Sequence, residues 1–75
     1  IPDMGPGAII EIDVELSEIY LIMGIPEVAI DNALLKARII NGGKNKFTVE
    51  IINTDGATTV SNAQLNVDVI GINGS

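Results

Sequence analysis

The sequence predicts a small all-β domain, and three features carry that prediction. Apolar and polar residues alternate with a period of two along 8–16, 46–52 and 64–70. Isoleucine and valine supply most of the apolar content, which is 47% of the chain, while Trp is absent and Tyr20 and Phe47 are the only aromatics. Segments rich in Gly, Pro and Asn separate the alternating runs. The expected architecture is an antiparallel β-sandwich or β-barrel-like unit over residues 8–75, with an irregular Pro/Gly-rich arm over 1–7 and a three-stranded meander at the C-terminal end.

The elements follow in order. IPDMGPG places two prolines and two glycines in seven residues, so it has no periodic face and is ordered only by lying on something. In AIIEIDVEL, residues 8–16, Ile10, Ile12, Val14 and Leu16 alternate with Glu11, Asp13 and Glu15, the pattern of a strand with one apolar and one wet face. EIYLIMG reads as a second strand reaching Gly24 and stopped by Pro26. Residues 26–32 read as a loop with room for one helical turn, because Val28, Leu34, Leu35 and Ile39 make no clean helical stripe. ALLKARII, residues 33–40, and KFTVEIIN then form a hairpin about the turn NGGKN, where paired glycines accept positive φ without a steric penalty. After the polar connection NTDGATTVSN, Leu65, Val67 and Val69 alternate with Asn66, Asp68 and Ile70 in a last strand.

Composition narrows the function. A chain of 75 residues buries only about 60% of the surface its unfolded form exposes, and small cores usually need a covalent staple, a metal or association. There is no Cys and no His, so disulfides and Cys/His zinc sites are excluded and association with other chains is left. Ten acidic residues against four basic ones, for a net charge of −6, argue against a nucleic-acid partner, whose phosphates attract Lys and Arg. Lys36, Arg38, Lys44 and Lys46 cluster between residues 36 and 46 and read as intramolecular or intersubunit pairing. No apolar run reaches the length of a transmembrane helix, no secretory signal is read, and no membrane partner is expected. The chain starts at Ile1, as a processed product, a trimmed chain or a fragment does.

Candidate chemistry is sparse. Glu11, Asp13 and Glu15 would project from one strand face about 7 Å apart, a row able to attract Ca²⁺ but better read as a solvated face offset by the matching spacing of Lys36 and Arg38. Asn53, Thr54, Asp55 and Gly56 resemble the start of a calcium loop, but turn chemistry explains the same residues without metal. Ser17, Ser61 and Ser75 lack a base for nucleophilic catalysis. No catalytic residue, no cofactor and no metal site are expected, and the chain is not expected to be an enzyme.

Residues 47–56, a spacer ending near Val60, and Leu65-Asn66-Val67-Asp68-Val69-Ile70-Gly71 resemble the C-terminal hairpin of small β-rich virion proteins of tailed bacteriophages, a likeness spanning roughly residues 33–72. The resemblance implies a structural subunit that decorates a capsid or forms part of a tail, spike or fibre, located in the virion. Its partners would be copies of itself, a homotrimer before other symmetric arrays, and other structural proteins of a larger particle. It carries over no functional residues. An extracellular adhesion or calcium-dependent carbohydrate-binding module, or a bacterial surface filament subunit, is the alternative.

Two sets of buried positions are expected. Ile10, Ile12, Val14, Leu16, Leu35, Ile39, Phe47, Val49, Ile51, Leu65, Val67 and Val69 should face the core or a partner. Leu34, Ile40, Ile52 and Ile70 occupy the opposite parity, where an isolated two-layer unit would place polar residues, so they are the candidate subunit interface. An Ile52→Asp substitution should then disrupt assembly more than monomer folding.

Overall fold

Five strands account for the fold in a computed structural model that describes residues 1–73: β1 (Ile9–Glu15), β2 (Tyr20–Ile30), β3 (Leu35–Ile40), β4 (Lys46–Asn53) and β5 (Leu65–Asn73). No helix occurs among the described residues. The strands form two antiparallel sheets, one ordered β1-β4-β3 and the other β2-β5, which do not close into a barrel. The all-β class is thus as the alternation indicated.

Strand β4 is the centre of the larger sheet, and its alternation sets the core. Phe47, Val49, Ile51 and Asn53 are buried on one face, while Thr48, Glu50 and Ile52 lie half-buried on the other. The expected β3–β4 hairpin forms, pairing Ile39 with Val49 and Ala37 with Ile51. The left-handed residue of its turn, however, is Asn41 at φ 52, not either of the paired glycines; asparagine is one of the few non-glycine residues that adopts this conformation readily.

The expected C-terminal meander is corrected. β1 pairs with β4 on the side opposite β3, so both edges of β4 are occupied and β5 cannot add to it. After residues 54–64, β5 instead pairs with β2, matching Val67 to Val28 and Leu65 to Ile30. These inward residues, with Val69 and Ile22, pack against the buried cluster from the second layer.

The reading of residues 26–32 as a loop is also corrected. Glu27 to Ile30 pair with Asp68 to Leu65, and the β2 ladder is broken only between Met23 and Glu27. Gly24 at φ 73 and Pro26 both fall within this bulge. A proline lacks the N–H that a ladder needs, but a bulge needs none there, so Pro26 is absorbed and the strand continues.

The arm over 1–7 is mostly irregular, yet it completes the core. Met4 is fully buried and exchanges two backbone hydrogen bonds of 2.9 Å with Val60. Val60 and Ala63 join it beside Leu35, Phe47, Val49 and Ile51. Ile10, Ile12, Val14, Ile39, Leu65, Val67 and Val69 pack half-buried around that cluster, and Leu16 is half-buried near Gly71.

Candidate interaction surface

Each sheet has an outer face, and the two differ in chemistry. On the three-stranded sheet the register sets three rows across β1, β4 and β3: Ile9, Ile52 and Lys36; Glu11, Glu50 and Arg38; Asp13, Thr48 and Ile40. Glu11 and Glu50 stand opposite one another with like charge, which is relieved by Arg38, whose Nε donates to Glu50 Oε1 at 2.7 Å. This hydrogen bond, and then the charge of Glu50, holds the Arg38 pKa above its ordinary value. The Thr48 hydroxyl donates to Asp13 Oδ1 at 2.8 Å. The acidic and basic rows read from the sequence therefore flank β4, which holds Asp13 through Thr48 and Arg38 through Glu50. Glu11, Asp13 and Glu15 converge on no common point, and no group of three acidic residues among the described residues is placed to hold a metal ion.

The segment after β4 is a structural knot. Asn53 is 1% exposed, and its Nδ2 lies 3.1 Å from Met4 O, 3.0 Å from Gly5 O and 2.9 Å from Thr58 O, donating its two protons among three carbonyls. Its Oδ1 accepts from Asp55 N–H at 2.9 Å. Asp55 Oδ2 in turn accepts from the N–H groups of Ala57 and Thr58, at 3.2 and 2.6 Å. Hydrogen bonding from the Thr58 side chain, then from these N–H groups, lowers the Asp55 pKa. Turn formation uses both side chains, and the amide of Asn53 ties the arm to the connection before β5.

The outer face of the β2–β5 sheet has a different character. Leu21 lies opposite Ile72 and Met23 opposite Ile70, and Ile25 projects from the bulge beside them at 90% exposure. All five are exposed aliphatic side chains, and Ile19 and Tyr20 lie exposed just before them. Glu27 opposite Asp68 forms the border where this face becomes polar. A single exposed isoleucine is ordinary, whereas four neighbouring aliphatic side chains in register, Leu21, Met23, Ile70 and Ile72, mark a surface for something to cover.

The four residues expected to form one interface are dispersed. Ile70, 69% exposed, belongs to the apolar face of the β2–β5 sheet. Ile52 and Ile40 lie two rows apart on the outer face of the larger sheet, half-buried, and Leu34 packs against the core from the turn before β3. Leu21, Met23, Ile25 and Ile72 were not singled out from the sequence, although a signal was present. From Ile19 to Ile25 apolar residues occupy both parities, so a strand there must expose one set.

No family model, no curated protein and no solved structure matches this chain.

Proposed function

We propose that the chain is a non-enzymatic structural subunit that assembles through β contacts with copies of itself and with other structural proteins of a larger particle. The observation that carries this reading is the apolar outer face of the β2–β5 sheet, where Leu21, Met23, Ile70 and Ile72 are exposed, with the exposed Ile25 in the adjoining bulge, on a chain of 75 residues. A small acidic domain without Cys or His has no covalent or zinc staple, and burying that face against a neighbour supplies the missing apolar contact. Among the described residues β1, β3 and β5 each have a strand neighbour on one edge alone, which leaves edges for strand addition, whereas the outer edge of β2 is engaged at Ile22 by the carbonyl of Lys44.

The particle we have in mind is a virion, in which the chain would be a capsid decoration or a tail, spike or fibre component. The likeness of residues 33–72 to small virion proteins of tailed bacteriophages supports that choice.

Light scattering behind a sizing column, over a hundredfold range of concentration, tests the assembly reading. A discrete oligomer of the 7.9 kDa chain is expected. A folded monomer at every concentration would overturn it. The virion assignment predicts that an antibody to the chain labels purified particles, and unlabelled particles would remove that part of the proposal.

A further inference from the structure

Resting on that assembly reading, we propose that the chain joins copies of itself head to tail, the free edge of β3 in one copy adding to the free edge of β1 in the next. Backbone parity shows what each edge offers. Asn53 N–H donates to Ala8 O at 2.9 Å and Leu16 N–H to Asn45 O at 2.7 Å, so Ala8, Ile10, Ile12, Val14 and Leu16 turn their peptide groups toward β4. Those of Ile9, Glu11, Asp13 and Glu15 therefore point away from the sheet. On the other side Thr54 N–H donates to Leu34 O at 2.8 Å, which turns Lys36, Arg38 and Ile40 toward β4 and leaves the peptide groups of Ala37 and Ile39 pointing outward. No backbone bond among the described residues takes up these outward groups.

Charge selects which edges meet. Charged side chains blunt an edge against its own kind, and the two edges here carry opposite signs. Glu11, Asp13 and Glu15 line β1, Lys36 and Arg38 line β3, and all five are exposed on the same outer face of the sheet. Pairing β1 with β1, or β3 with β3, sets like charges together, whereas β3 against β1 sets opposite ones together.

The register is then fixed. With both outer faces on one side, the joined strands run parallel, as β1 and β3 already do on either side of β4. Ala37 bonds the backbone of the partner's Glu11 and the partner's Asp13, which sets Lys36 beside that Glu and Arg38 beside that Asp. A slip of two residues one way puts Lys36 beside the partner's Ile9, and the other way puts Leu34 beside the partner's Glu11. Lys36 and Glu11 have no ion pair among the described residues. Arg38 gives only its Nε to Glu50, and Asp13 only its Oδ1 to Thr48, so each keeps polar atoms for the second contact. Glu15 is left out, because it stands opposite Lys46 within its own chain. Lys36, Ala37, Arg38 and Ile52 line an open hollow of about 350 Å³ at the β3 edge, which leaves room for the arriving carboxylates.

Lys36→Glu, Glu11→Lys and the charge-swapped double variant test this contact, each checked for folding by circular dichroism and sized by light scattering. Because the contact is heterologous, the wild type is expected as an assembly of three or more chains. K36E and E11K should each weaken association about tenfold, and the double variant should recover most of that loss. Within one chain the two residues lie two strands, roughly 10 Å, apart, so recovery reports a contact between chains. Glu11→Pro removes an outward N–H and no rung of the β1–β4 ladder, and should also dissociate the assembly while the chain stays folded. A wild-type dimer, an oligomer indifferent to K36E and E11K, or a double variant no better than the single ones would overturn this contact and leave the assembly reading intact. A wild-type monomer at every concentration would overturn both.

Discussion

Asn53 concentrates more of the fold than any other polar side chain. Asn53→Ala leaves the carbonyls of Met4, Gly5 and Thr58 without their amide donor and the Asp55 N–H without its acceptor. The expected loss is on the order of 3 kcal/mol, read as a lower urea midpoint at unchanged slope. Asp55 adds a pH dependence. Its pKa is lowered on folding, so its contribution is complete above the unfolded value and is lost as pH falls through the folded one. Wild type should therefore melt above Asp55→Asn at pH 7, with the gap closing in acid below the usual carboxyl range. A gap that stays constant between pH 7 and pH 2 would show that the carboxylate does not stabilise the turn. Both residues were legible as turn formers, because Asn and Asp bond nearby backbone. That Asn53 also holds the arm, 48 and 49 residues away in sequence, was not, since local pattern says nothing about distant carbonyls.

At the scale of the element, β2 is where local reading and structure part. Pro26 is a strong stop signal, and Val28 and Ile30 give too short an alternation after it to announce a resumed strand. Pairing with Asp68–Leu65 supplies what the segment alone lacks, and the bulge accommodates the proline. Gly24 is the hinge of this arrangement. A Cβ there meets nothing within 4 Å, so the cost of Gly24→Ala is purely that of φ 73, about 1–2 kcal/mol. Gly24→Asn should cost less, because asparagine tolerates the left-handed region. Thermal melts of the two variants check this, and equal losses would mean that something other than backbone conformation decides the position. Strands β1 and β4 needed no such rescue, since Ile10 to Glu15 and Lys46 to Ile51 alternate and only the strand ends, Ile9, Ile52 and Asn53, depart from the pattern.

The whole molecule is an elongated body, 48 × 18 × 17 Å, whose buried cluster lies between β4 and the arm. Met4 is fully buried there although no periodicity marks its segment, so Met4→Ala should cost about 2–5 kcal/mol, as for other core truncations. A urea titration giving a loss below 1 kcal/mol would show the arm to be dispensable. The sequence by itself determined the all-β class, the β3–β4 hairpin, the wet face of β1 and the inward residues of β4 and β5. Each follows from a two-residue period or a local turn signal, which need no distant partner. Tertiary structure alone decided that β5 joins β2 and that Met4, Val60 and Ala63 complete the core. It also decided that Leu21, Met23, Ile70 and Ile72 share one exposed face. The physical reason is common to all three: β4 has only two edges, β1 and β3 occupy them, and everything left over must find its contacts elsewhere.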